Sequence, residues 1–215
     1  MPHSGGVLLA PLSVFASRLA DPALARDLAQ AAARNSKTTW CVTITDQDGH
    51  AVGHGCARPA RGANRDRDGP GFTFTPEDRR GPPGGSGTWR LTTGIPGQPD
   101  LLVTIEPIAT DHCDHRREAS GHDPGVMLRH LTQVRHTTCT GPVCRRPATQ
   151  ADFEHNIPFE AGGRTCLCNA DPKCRHDHRV KQHPRWQVDK LPNGDVRWTT
   201  PAGRQYATEP TRYPI

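Results

Sequence analysis

Between Ala151 and Gly163 the chain reads A-D-F-E-H-N-I-P-F-E-A-G-G, with Glu154 directly before His155. An acid beside an imidazole has two readings: polar residues at a strand end, or a metal ligand next to a general base. More candidate ligands lie around it. Five of the eight cysteines (Cys139, Cys144, Cys166, Cys168, Cys174) fall in this region, alongside His176 and His178. Disulfide partners would need no histidines among them, so this crowding suits thiolates bound to a metal in a reducing cytoplasmic setting.

Cys139-Thr-Gly-Pro-Val-Cys144 is a turn whose two thiols can reach one tetrahedral zinc, which makes it half a site. The other half is expected from Cys174 and Asp177, three residues apart at the opening of a helix as in a zinc knuckle. His176 or Cys168 could replace Asp177 as the fourth ligand. Cys166 and Cys168 read equally well as packing thiols or as auxiliary zinc ligands. The segment DHCDHRREASGHD, residues 111–123, crowds Asp111, His112, Cys113, Asp114 and His115 together. Five neighbours cannot all converge on one ion, so a solvated polar loop is expected there.

These residues need elements to hold them. Glu154 and His155 adjoin the end of a strand, Pro158 and Gly162-Gly163 turn the chain, and Thr165 to Asn169 can return as a second strand. His178 then follows on a helix one turn after Cys174, which implies strand, loop, strand, helix, with a metal site facing the groove between hairpin and helix. Upstream, Asp123-Pro124 starts a helix with Met127, Leu128, Leu131 and Val134 on one face. Downstream, Trp186 and Val188 alternate, Asn193-Gly194 reads as a type I′ turn, and Val196 and Trp198 alternate back, with the tryptophans closing a small core.

The first half of the chain has a different texture. Asp21-Pro22 opens a short amphipathic helix carrying Leu24 and Leu28 that Asn35 ends. Trp40, Val42 and Ile44 alternate into a hairpin through Asp46–Gly49, and Thr88–Leu91 with Leu101–Ile105 forms a further strand pair. Residues 58–86 are rich in Arg, Gly and Pro and read as a disordered loop.

With 215 residues, 33% of them apolar, and 21 each of Gly and Pro, one large aliphatic core is excluded and small stapled ones are favoured. The net charge of +5 is compatible with a nucleic-acid partner without demanding one. No stretch approaches the roughly 20 apolar residues of a membrane span. The N-terminal apolar run follows no Lys or Arg and is interrupted by Pro11, unlike a secretory leader.

The order His155, Asn169, His178, with the acid before the first histidine, the Gly-Gly before the second strand and Lys181 after the last histidine, resembles the HNH endonuclease motif of the ββα-metal fold. CTGPVCRRPA, DFEHNIPFEAGGRTCLCN, CRHDHRVK and WTTPAGRQYATEP are similar to the C-termini of actinobacterial HNH proteins that carry an N-terminal domain of unknown function. The strong likeness covers residues 126–215; residues 21–120 resemble, less specifically, the last part of that N-terminal domain.

The resemblance implies an α+β protein. Residues 1–125 would be a partial N-terminal domain, a small helix plus hairpin. Residues 126–215 would be a zinc-stapled HNH module with a following β-hairpin, cleaving DNA. His155 would act as general base, Glu154 and His178 would hold a Mg²⁺ or Mn²⁺ ion, and Asn169 would fix the loop that orients His155. Cys139, Cys144, Cys174 and Asp177 would hold structural Zn²⁺. Arg175, Arg179, Lys181 and Arg185 lie on or beside the helix and could meet flanking phosphates. The alternative is a zinc-ribbon-like DNA-binding module without catalysis, which keeps the cysteines and basic helix but makes no use of Glu154 beside His155 or of Asn169.

Overall fold

A computed structural model describes residues 7–11, 27–28, 31–32, 35, 38–59, 73–77, 87–94, 98–108 and 113–213. Its contacts divide the chain into two compact units, one of Met1–Ile108 with Tyr213–Ile215 and one of Ala109–Arg212. That division falls ahead of the boundary expected at 125/126, and it puts the polar segment 113–123 in the second unit.

The first unit is a sheet of six antiparallel strands: β1 (Val7–Pro11), β2 (Trp40–Thr45), β3 (Ala51–Pro59), β4 (Thr73–Pro76), β5 (Gly87–Thr92) and β6 (Leu101–Pro107), in the order β1-β2-β3-β6-β5-β4. It is larger than the expected helix plus hairpin. Both expected strand pairs are present, and β4 forms inside the stretch read as a loop. Thr73–Pro76 pairs with Thr92–Trp89, and Phe74 stacks on Trp89 with ring centroids 4.8 Å apart. That aromatic contact supplies the anchor the Arg/Gly/Pro-rich composition concealed. Residues 60–72 and 78–86 of the loop lie outside the described residues, as does most of the helix expected after Pro22; of the latter, 27–28 and 31–32 are helical.

Trp40, Val42, Leu91, Val103 and Ile105 form the buried cluster of this sheet. Cys41 and Cys56, directly opposed across β2 and β3, are joined as a disulfide, a pairing with no spacing signal in the sequence.

In the second unit, α1 (Val126–Arg135) buries Leu128, Leu131 and Val134, as its spacing predicts, and leaves Met127 partly exposed. It packs on a two-stranded hairpin of β7 (Asp152–His155) and β8 (Ala170–Lys173), which leads into α2 (Arg175–Lys181). Pairing runs Asp152↔Lys173, Phe153↔Pro172, Glu154↔Asp171 and His155↔Ala170. The return strand therefore begins at Ala170, not Thr165. Residues Leu167–Asn169 form a 3₁₀ turn instead, closed by the Asn169 amide donating to the Cys166 carbonyl at 3.0 Å.

A three-stranded sheet, β9 (Gln187–Lys190), β10 (Val196–Thr199) and β11 (Gln205–Thr208), completes the unit. The expected hairpin is its first pair. The turn is not type I′, because Asn193 does not share the positive φ of Gly194 (89°), and the Pro192 ring locks its own φ in the ordinary region. Trp198 is fully buried, donates Nε1–H to the Thr140 carbonyl at 2.9 Å and meets Trp186 edge to face.

Asp171 is the polar centre of this unit. Its carboxylate is fully buried and accepts hydrogen bonds from Lys190 and Asn156, with the buried Lys173 ammonium 3.6 Å away and His136 Nε2 at the same distance. Burial alone would raise its pKa, but the two ammonium groups overcome that and hold the carboxyl well below the usual range. None of these contacts has a local sequence signal.

Candidate functional site

The site is assembled on the β7–β8 hairpin and α2. At the end of β7, Glu154 and His155 are both buried. Residues i and i+3 of a helix share a face, and α2 turns His178 and Lys181 toward β7. His178 Nδ1 reaches 2.6 Å from Glu154 Oε2 and 3.8 Å from Asp152 Oδ2, while Gln182 lies 2.9 Å from its other ring nitrogen. His178 Nδ1 and Asp152 Oδ2 are buried atoms that no well-formed hydrogen bond completes.

Lys181 is placed differently from its sequence reading. Its ammonium donates to Glu154 Oε1 at 2.8 Å and to the His155 carbonyl, and its side chain is 9% exposed. The residue expected to meet phosphate thus points inward at the acid. Arg175 pairs with Asp152 at 3.3 Å but remains two-thirds exposed. Arg175, His176, Arg179, Val180, His183 and Trp186 line an open groove of about 450 Å³, and Arg185 is exposed beside it.

His155 sits between Phe153, Phe159 and His122, and its Nε2 contacts Thr165 Oγ1 at 2.8 Å. Thr165 in turn donates to the Gly121 carbonyl at 2.6 Å. With that hydroxyl proton committed to a carbonyl, Nε2–H is the donor to Thr165 and Nδ1 is left with its lone pair. Burial, followed by the neighbouring His122, lowers the His155 pKa from its ordinary value.

Asn169 bridges the loop as expected. Its Oδ1 accepts the Ile157 amide at 2.8 Å, and its Nδ2 donates to the carbonyls of Ile157 (3.0 Å) and Arg164 (2.9 Å). The Gly-Gly pair has two separate reasons. Gly162 adopts φ +87°, and a Cβ on Gly163 would lie 1.9 Å from the Ile157 carbonyl oxygen.

Cys139, Cys144, Cys174 and Asp177 each bring one ligand atom within 4.8 Å of the others, so this group could hold a metal such as zinc. Cys139 Sγ and Cys174 Sγ lie 3.1 and 3.2 Å from Asp177 Oδ2, close to the roughly 3.5 Å edges of a tetrahedral zinc site. The amides of Gly141 and Cys174 donate to Cys139 Sγ, as they would to a thiolate. Of the two alternatives to Asp177, His176 is largely exposed and contacts Asp177 Oδ1 from outside, and Cys168 lies in another group. Gly141 permits the site, because a Cβ there would fall 2.1 Å from Asp177 Oδ2.

Segment 113–123 is more than a solvated loop. Ala119 pairs with Thr165, Glu118 meets Arg164 at 2.8 Å, and Cys113 and His115 converge with Cys166 and Cys168. The paired spacings Cys113-x-His115 and Cys166-x-Cys168 were the available signal. Asp111 and His112 lie outside the described residues. Among the described residues, no helix is long and apolar enough to cross a membrane.

No protein-family model matches the chain, and no solved structure matches it. It is similar to three uncharacterized proteins of Mycobacterium tuberculosis. Rv3776 of strain H37Rv is 31% identical over 100 residues, covering 46% of this chain and 19% of that protein. Rv2100 of the same strain and MT2160 of strain CDC 1551 are each 31% identical over 145 residues, covering 64% of this chain and 26% of theirs. The chain thus spans about a quarter or less of the length of these relatives.

Proposed function

We propose that the second unit is a metal-dependent HNH endonuclease that hydrolyses phosphodiester bonds in DNA. The observation that carries the reading is the meeting of Glu154 and His178 across the hairpin and α2, beside a His155 whose Nδ1 lone pair is free to take a proton. Asp152, a residue with no signal in the motif, joins the candidate ligand set.

Hydrolysis of a phosphodiester needs an activated water and relief of the charge that builds on the phosphate. Glu154, His178 and Asp152 would hold Mg²⁺ or Mn²⁺, and that ion, when bound, supplies Lewis-acid stabilisation of the phosphate oxygens. His155 takes the proton of the attacking water on Nδ1, and its Nε2–H bond to Thr165 sets the tautomer and ring orientation. Asn169 ties Ile157 to Arg164 and so holds the loop against which His155 packs; it is a positioning residue. Lys181 neutralises Glu154 in the absence of the ion. The groove with Arg175, Arg179 and Trp186 suits a sugar-phosphate backbone, Arg185 extends its basic rim, and Cys139, Cys144, Cys174 and Asp177 with structural Zn²⁺ anchor the start of α2.

The test is conversion of supercoiled plasmid to nicked or linear DNA by the purified chain with Mg²⁺ or Mn²⁺, beside His155→Ala and an EDTA control. Cleavage by the wild type and its loss in a zinc-loaded His155→Ala variant supports the reading. If neither protein cuts while both bind zinc and DNA, the pairing of Lys181 with Glu154 belongs to a non-catalytic zinc-ribbon-like binding module, and the nuclease reading fails.

A further inference from the structure

We infer that Cys113, His115, Cys166 and Cys168 form a second structural zinc site, which clamps segment 113–122 onto the turn that supports His155. Four soft or borderline ligands from two segments far apart in sequence bring their donor atoms within 4.8 Å of one another. Cys113 Sγ and Cys166 Sγ are 3.4 Å apart, and His115 Nδ1 lies 3.3 Å from Cys166 Sγ and 3.9 Å from Cys168 Sγ. With zinc–sulfur bonds of about 2.3 Å and zinc–nitrogen bonds of about 2.0 Å, a tetrahedral ion sets ligand separations of roughly 3.5 to 3.8 Å. The observed spacings bracket that range, and three thiolates with one imidazole are a recurrent structural zinc set.

A second observation comes from the backbone. His115 has φ 53°, one of only two non-glycine residues with positive φ among the described residues. A left-handed conformation costs a β-carbon-bearing residue of order 1 kcal/mol, and it persists where something over-determines it. The left-handed turn brings His115 Nδ1 round to the sulfurs of Cys166 and Cys168. The same segment is already laid along the turn: the Ala119 amide donates to the Thr165 carbonyl at 3.0 Å, and Thr165 Oγ1 donates to the Gly121 carbonyl.

Thr165 therefore connects the site to His155. A zinc ion at 113/115/166/168 would fix residues 165–169 from one side, as Asn169 fixes the loop from the other. That consequence for His155 rests on the nuclease reading, but the metal site does not: zinc content is read without any substrate, so loss of cleavage and loss of this site are separately visible.

The experiment compares zinc per chain, after desalting under reducing conditions, in the intact protein and in Cys113→Ser, His115→Ala and Cys168→Ser. Each substitution is expected to remove one equivalent of zinc and to leave the equivalent held by Cys139, Cys144 and Cys174, which Cys139→Ser removes instead. Should a variant fail to fold, differential alkylation of the wild-type chain decides the matter. Cys113, Cys166 and Cys168 should be protected together while zinc is bound and become reactive together when a chelator withdraws it. Unchanged zinc content in the folded variants would overturn the proposal. So would alkylation of these three thiols in the zinc-loaded protein, or a Cys113–Cys166 disulfide in the chain as isolated.

Discussion

Glu154 and Lys181 are a nearly buried ion pair: the Lys181 ammonium lies 2.8 Å from Glu154 Oε1, and each side chain is only 9% exposed. Removing one partner leaves the other charge stranded. Glu154→Gln is therefore expected to destabilise the second unit by roughly 3 kcal/mol, while the double variant with Lys181→Met recovers much of the loss. Denaturant unfolding of the zinc-loaded single and double variants measures this, and additive losses would show that the pair is not coupled.

Gly163 is expected to tolerate no side chain, since a Cβ there would overlap the Ile157 carbonyl and crowd Asn169 Nδ2 at 2.8 Å. Gly163→Ala should cost about 3 kcal/mol and displace the loop under His155, whereas Gly162→Ala, whose Cβ meets nothing, should cost only the left-handed backbone strain, about 1 kcal/mol. Paired thermal melts give the order of the two effects, and equal shifts would contradict it.

The second unit should lose stability as pH falls. His136 is buried beside Asp171, and its burial lowers its pKa from 6.5 to about 3. Between those values the unfolded chain binds a proton that the folded chain does not, so stability falls as pH drops from about 6.5 toward 3. Asp171, held low by Lys190 and Lys173, contributes stability that is present above the unfolded carboxylate pKa and is lost as pH falls toward its folded value. Both terms have the same sign. His136→Gln should flatten the dependence of unfolding free energy on pH between about 6 and 4, readable by chemical denaturation across that range.

Withdrawal of metal should be more damaging than any of these substitutions. A structural zinc site contributes apparent binding free energies of about 10 kcal/mol or more, and Cys139, Cys144, Cys174 and Asp177 could hold such an ion at the start of α2. Strong chelation at neutral pH is expected to abolish the cooperative melt of residues 109–212, with zinc restoring it; calorimetry before and after chelation checks this.

The sequence alone determined where candidate metal ligands are closely spaced along the chain. Cys139, Cys144 and Cys174 were legible because turn and helix-start spacings constrain where thiolates can point, while Asp177 was one of three candidates for the fourth place, with His176 and Cys168. The helix at 126–135 and the hairpin through Asn193-Gly194 were legible from the period of their apolar residues. Asn169 as a loop clasp was legible only through the resemblance to the HNH motif.

What only the tertiary structure decided were the relations between distant segments. Asp152 at the site, Lys181 folded back on Glu154, Thr165 behind His155 and the grouping of Cys113 and His115 with Cys166 and Cys168 all depend on how β7, β8 and α2 are laid against one another. The full six-stranded sheet escaped although two of its strand pairs did not: the short Phe-Thr-Phe-Thr alternation at β4 is embedded in an Arg-, Gly- and Pro-rich stretch, and β4 is defined by its pairing with β5 and by Phe74 on Trp89. Periodicity reports which face of an element is buried, and a short polar segment with no periodicity acquires its structure from the partner it meets.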